Sequence, residues 1–143
     1  MYKNFKLPFL HPELEQAVQD FVKVWNVDNT KDSGWAWTRP LANIEESDTH
    51  FQIVLAAPGL QKNDFKMTLD KEVLTVSVDK EKLETGNKKV VTEFSYHKFT
   101  RRFRISPEVD QQGIHASYEN GILTITLPKK EEVIRGPKTI NIN

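Results

Sequence analysis

Cysteine is absent from the 143 residues. That excludes a disulfide scaffold, a thiolate nucleophile and any thiolate-based zinc site, and it suits a reducing compartment. Net charge is absent too, since 20 Lys and Arg balance 20 Asp and Glu. A neutral chain has no global pull toward nucleic acid or an anionic membrane surface, and it lacks the self-repulsion that keeps copies apart. Long apolar runs are missing, and no stretch approaches the roughly 20 residues of a transmembrane helix. Residues Met1 to Leu10 alternate lysines with aromatics and do not read as a signal peptide. The expected partners therefore include neither nucleic acid nor a membrane, and the expected location is cytoplasmic.

Reactive constellations are equally scarce. His11, His50, His97 and His115 are spaced like no metal motif, so no metal ligand is expected among them. Gly86-Asn87-Lys88 has neither the leading glycine nor the following Ser/Thr of a phosphate loop. No serine sits in a nucleophile elbow. Glu45-Glu46 and Glu131-Glu132 are adjacent, and neighbours on a strand point to opposite faces. The expectation is a protein that is not an enzyme, uses no cofactor and has no residues to run an ATP cycle.

What the chain does have is three regions of different character. Residues 1–40 hold half of the aromatics, including all three tryptophans: Tyr2, Phe5, Phe9, Phe21, Trp25, Trp35 and Trp37. Pro12 suits the first turn of a helix, and Leu14, Ala17, Val18, Phe21 and Trp25 recur at three- and four-residue steps, forming one apolar stripe. A helix packed on its own core is the ordinary reading of such a stripe. Here an irregular Asp28–Gly34 stretch and two more tryptophans follow it, so Phe5, Phe9, Phe21, Trp25, Trp35 and Trp37 are expected to form a binding arm.

From residue 41 to 129 the period becomes two. Phe51, Ile53, Leu55 and Ala57 alternate with smaller or polar residues. So do Phe65, Met67 and Leu69, and then Leu74, Val76 and Val78. Phe99 to Ile105, Ile114 to Tyr118 and Leu123 to Leu127 continue the pattern, with Asn120-Gly121 as a hairpin turn. Short alternating strands without helical patterns between them predict an all-β, antiparallel, two-sheet sandwich. The connection Lys80–Lys98 is too long for a hairpin, and Val90, Val91, Phe94 and Tyr96 have the pattern of a further short strand leaving the body of the domain.

The C-terminal residues open on Lys129-Lys130-Glu131-Glu132, a charged run expected to be solvated and mobile, and pass to Ile140-Asn141-Ile142. The two isoleucines lie on one side of an extended strand, which suits addition to an open sheet edge; the competing reading is a last strand of the chain's own sandwich. The run Lys98 to Ile105 holds one oddity. Its solvated face is basic, with Lys98, Arg102 and Arg104, whereas its apolar face carries Arg101 among Phe99, Phe103 and Ile105. A guanidinium there must find a carboxylate or carbonyls, most naturally at a sheet margin or a subunit interface.

Ala116-Ser-Tyr-Glu-Asn120-Gly121-Ile122-Leu123 followed by Thr-Ile-Thr-Leu-Pro128 resembles the signature hairpin of the small heat shock protein (α-crystallin domain) family, bacterial type. The opening Pro40 to Glu46, the strand end Leu55-Ala-Ala-Pro58-Gly59-Leu60, the Phe99 to Ile105 strand and the Ile140-x-Ile142 tail agree in order and spacing. The resemblance implies an immunoglobulin-like sandwich over 41–129, with a variable arm before it (1–40) and a flexible extension after it (130–143). It implies dimers that build larger oligomers, with the Lys80–Lys98 loop donating a strand to the partner subunit. By position it places Arg101, Val90, Val91, Phe94 and Tyr96 at the dimer interface. The tail motif, Ile140 and Ile142, is implied to dock in a groove of a neighbouring dimer involving Met67, Leu69, Ile114 and Ala116.

The function so implied is an ATP-independent holdase that binds non-native client proteins as an exchanging oligomer. Two other classes use such sandwiches. A monomeric co-chaperone or adaptor would bind one partner, and the long loop and isoleucine tail speak against it. A carbohydrate-binding sandwich needs aromatics on a sheet face, whereas these concentrate in the arm.

Overall fold

The computed structural model describes residues 38–81 and 85–143. The arm residues Phe5, Phe9, Phe21, Trp25, Trp35 and Trp37 lie outside them, as does the helix expected there. Seven strands follow in order: β1 (Ala42–Glu46), β2 (His50–Ala56), β3 (Phe65–Asp70), β4 (Val73–Asp79), β5 (Lys98–Arg104), β6 (His115–Glu119) and β7 (Ile122–Pro128). They form two antiparallel sheets, one ordered β1-β2-β7-β6 and the other β3-β4-β5. The expected sandwich is present.

Alternation explains why these segments pair as they do. In β2 the residues Phe51, Ile53 and Leu55 are fully buried, while His50, Gln52, Val54 and Ala56 between them are half-buried. Their β7 partners Leu127, Ile125 and Leu123 are buried in the same register. The facing sheet supplies Leu74, Val76 and Val78 from β4, with Phe99 and Phe103 from β5. A one-residue slip of any central strand would turn this set outward, so the register is fixed by the pattern itself. Burying each such side chain is worth roughly 1.5–3 kcal/mol. The β6–β7 turn uses Asn120 and Gly121, both at positive φ (51° and 78°), as a two-residue hairpin demands. A Cβ at position 121 would also approach the Pro58 Cα to 3.3 Å, so the glycine serves packing as well as the turn.

Two expectations need correction. Residues 85–97 form no strand, because a strand needs an edge to pair with and no sheet edge among the described residues accepts this segment. Val90, Val91 and Phe94 are exposed, at 86%, 76% and 69%. The stretch after β7 is not simply solvated. Lys129 bridges to Val109, its amine lies 2.8 Å from Glu46 Oε1 and 4.9 Å from the Phe51 ring centre, and its side chain is only 9% exposed. The next residues wind into a one-turn helix, α1 (Glu131–Ile134), with two acidic residues in the first turn and Arg135 Nη2 3.1 Å from Glu131 Oε2. Beyond it, residues 137–143 form no strand with the sandwich.

Candidate functional site: a half-covered groove and its exposed counterparts

The strands β3 and β6 each form one edge of their sheet, with β5 and β1 at the opposite edges. Phe65, Met67 and Leu69 of β3 stand opposite Val78, Val76 and Leu74 of β4, all buried, which places them on the inner face. They are nevertheless only half-buried, because β3 ends its sheet. On β6, Ala116 and Tyr118 stand opposite the buried Ile125 and Leu123, so they too face inward. Ala116 is nonetheless exposed, being too small to reach across the margin. Ile114, just ahead of β6, is half-buried against the core.

The margin between the two edges is thus an apolar groove, and both of its ends are closed. At one end the rings of Phe65 and Tyr118 lie 4.7 Å apart, Phe99 meets Phe65 edge-on at 6.4 Å, and the Tyr118 hydroxyl donates to the Ala57 carbonyl at 2.7 Å. At the other, Gln111 Nε2 donates to the Lys71 carbonyl at 2.9 Å across the two margins. Met67 and Leu69 are two residues apart on a strand, so their side chains rise about 6.6 Å from one another. An Ile-x-Ile pair in extended conformation has the same spacing. The structure therefore brings Met67, Leu69, Ile114 and Ala116 together along one margin. Phe65, Tyr118 and Gln111, which close the ends, have no signal in the sequence beyond the inward phase of Phe65 and Tyr118.

Ile140 and Ile142 are 81% and 98% exposed. Neither contributes to the chain's own core.

Arg101 sits opposite the fully buried Val76 on the inner face of β5 and is 5% exposed. Two contacts answer part of its desolvation. It donates to the Pro40 carbonyl, and its charge lies 5.1 Å from the centre of the Phe103 ring. Like β3, this strand is an edge of its sheet, so the sheet margin and the carbonyl partner both match the sequence expectation. On the loop, Phe94 and Tyr96 are neighbours, with ring centres 6.1 Å apart.

The described residues bring no three His, Cys, Asp or Glu side chains into a metal-binding arrangement. His50 Nδ1 lies 3.0 Å from the Ser47 and Thr49 hydroxyls in the β1–β2 turn, and His115 Nδ1 lies 3.0 Å from the Gly113 carbonyl. The outer face of β3-β4-β5 carries a shallow depression where Arg102 and Arg104 stand among Lys71, Asp70 and Glu72, so the basic stripe is interleaved with acid. Ahead of β3, the Asp64 carboxyl is held below its usual range. The Gln61 N–H at 2.7 Å contributes most to this, and Lys80 at 3.2 Å also stabilises the anion. No helix among the described residues is long and apolar enough to cross a membrane.

Comparison with known proteins identifies the family. The sequence profile of the Hsp20/alpha crystallin family matches residues 43–143. The chain is 34% identical over 116 residues to the "22.0 kDa heat shock protein" of Arabidopsis thaliana, covering 78% of this chain and 60% of that protein. It is 35% identical over 95 residues to "Small heat shock protein C2" of Rickettsia felis, covering 65% of this chain and 62% of that one. These matches thus span about three-fifths of the length of the curated relatives. Among solved structures, "Heat shock protein 16.0 from Schizosaccharomyces pombe" superposes with a TM-score of 0.65 at 27% identity, over 95% of this chain and 97% of that one. A match that runs from the second residue of β1 through the isoleucine tail, on a sandwich of the same fold, shows that the chain belongs to the Hsp20/alpha crystallin family of small heat shock proteins.

Proposed function

We propose that the protein is an ATP-independent holdase, a cytoplasmic chaperone that captures non-native proteins as an exchanging homo-oligomer built from dimers. The observation that carries this reading is the coexistence, in one chain, of a half-covered apolar groove and two exposed isoleucines of matching spacing. The tail of one subunit supplies Ile140 and Ile142, and the groove of another, with Met67, Leu69, Ile114 and Ala116, receives them. Each isoleucine contributes roughly 1.5–3 kcal/mol on burial. The ordering of the tail offsets much of that, so a single dock is weak. Many weak docks around one assembly hold by effective concentration and still exchange.

The exposed Val90, Val91 and Phe94, with Tyr96, are the contacts of the dimer, where the loop adds a strand to the partner's sheet edge. The strand missing in a single chain forms when that edge arrives. Arg101 supports the interface from within. Undocking exposes the groove together with the aromatic arm bearing Phe5, Phe9, Phe21, Trp25, Trp35 and Trp37, and unfolding clients present complementary apolar surface. The monomeric adaptor reading has no role for solvent-exposed isoleucines at the chain end.

The test is light scattering from a heat-labile enzyme warmed with and without an equimolar amount of this protein, in the absence of ATP. Suppressed scattering is expected. Scattering unchanged by the protein would refute the holdase reading. Light scattering of the protein alone separates the oligomer from a monomeric adaptor.

A further inference from the structure

The chain just ahead of β1 is held at two points, by the loop that leads into β5 and by β5 itself. Thr38 and Ser95, 57 positions apart, exchange a pair of hydrogen bonds. The Thr38 N–H donates to the Ser95 carbonyl at 2.7 Å, and the Ser95 N–H donates to Thr38 Oγ1 at 2.6 Å. Two residues on, Arg101 donates to the Pro40 carbonyl. The contact is sheltered on the loop side: Ser95 is 6% exposed, Arg101 5%, Pro40 is buried and Thr38 is half-buried. Ser95 is also the fixed foot of the loop's returning limb. Its Oγ lies 3.4 Å from His97 Nδ1, and the His97 carbonyl accepts from the Lys80 N–H at 2.7 Å. From that foot the limb leads back to the exposed Phe94, Val91 and Val90.

We propose that the Thr38–Ser95 pair is a latch that couples the root of the N-terminal arm to the 85–97 loop, so that displacing either one loosens the other. The acceptor opposite the Ser95 N–H is a side-chain hydroxyl standing where a neighbouring strand would offer a carbonyl. If Thr38 leaves, a buried N–H loses its partner, and the limb must move toward water to recover one. The same free energy acts in the other direction. A loop drawn away by a second subunit weakens the hold on Thr38, and with it the anchorage of the residues ahead of it, because coupling between two elements is reciprocal. The latch stands on contacts within one chain. Its consequence, that forming the dimer sets how the arm is presented to clients, rests on the function proposed above.

Hydrogen–deuterium exchange on the full chain tests it from both sides. Thr38→Val keeps the side chain's shape and the backbone N–H but removes the hydroxyl. It is expected to speed exchange in 85–97 roughly five-fold, the effect of losing one net hydrogen bond, while β2 and β7 exchange as in wild type. Thr38→Ser restores the oxygen and is expected to restore wild-type exchange. Ser95→Pro removes the donor from the loop side and is expected to speed exchange at 38–41 by a similar factor. Unchanged exchange in 85–97 for Thr38→Val overturns the latch. So does equal loosening in Thr38→Ser, which would make the hydroxyl irrelevant, and so does Ser95→Pro leaving 38–41 untouched. None of these readouts depends on chaperone activity, so a failed holdase assay and a failed latch are separate results.

Discussion

Replacing Ala116 with leucine fills the groove from its β6 side. The position faces inward, in register with the buried Ile125, yet it is exposed, so the added carbons project into the space between Met67, Leu69 and Ile114 rather than into the packed core. The sandwich itself should hardly notice, with stability within about 0.5 kcal/mol of wild type, as for other substitutions that touch no packed atom. The tail should notice strongly. Docked, Ile140 and Ile142 gain roughly 3–6 kcal/mol of burial between them, and ordering the extended segment returns a large part of that. A net of about 2 kcal/mol per dock corresponds to roughly thirty-fold in affinity. Losing it at every tail multiplies through the assembly. Light scattering coupled to gel filtration reads the mass, and thermal unfolding of the same sample reads the sandwich. The expected outcome is a large drop in mass toward the dimer at an unchanged melting temperature. Wild-type mass would refute the groove assignment. A mass loss accompanied by a clear fall in melting temperature would show that Ala116 belongs to the packed interior and that the argument from its exposure fails.

Truncating Pro137–Asn143 should reproduce that mass loss without touching the groove, by light scattering; an unchanged assembly would remove the tail from the docking. Arg101→Ala should destabilise the chain by about 3 kcal/mol in urea denaturation, since it leaves the Pro40 carbonyl buried without this donor and a void beside Phe103, whereas Arg102→Ala on the exposed face should cost about 0.5 kcal/mol or less. Replacing Trp25, Trp35 and Trp37 together with serine should weaken suppression of client scattering while the far-ultraviolet signature of the sandwich persists. Asp64 predicts a pH dependence. Its folded pKa lies below the unfolded value, so its contribution is fully present above about pH 4 and is lost as pH falls through the lower folded value. Denaturation midpoints for Asp64→Asn should therefore fall below wild type at neutral pH and converge with it in acid.

The strands were legible because burial here obeys a period of two with few exceptions. Phe51, Ile53 and Leu55 repeat in the core as they repeat in the sequence, and Asn120-Gly121 announces its own turn. Arg101 was legible as a physical contradiction, a charge in an apolar row, which only a buried acceptor resolves. The half-buried margin was legible less directly. Alternation separates inner from outer residues, but it cannot separate an inner residue of a central strand from one of an edge strand, and only strand order makes Met67 half-buried and Val76 fully so. Two features had no periodic trace, and a third had one that the single chain does not use. A hydroxyl bonding to a backbone N–H, as Thr38 does, leaves no pattern in sequence. Lys129 reads as a solvated charge until the fold brings Glu46 and Phe51 beneath it. The Val90–Tyr96 segment has a strand's residues without a strand's neighbour.

The burial of Lys129 makes it the post to which a leash is tied. Because that residue is pinned between Glu46 and Phe51, the free length of the C-terminal segment begins only beyond it. One helical turn contributes about 6 Å and the six residues from Arg135 to Ile140 at most about 20 Å, so Ile140 sweeps a radius of roughly 25 Å around a fixed point on the sandwich. Only a neighbour whose receptive margin falls inside that radius can be reached. On the docking proposed above, the number of residues between post and anchor, rather than the strength with which the anchor holds, limits how far apart two joined subunits can sit.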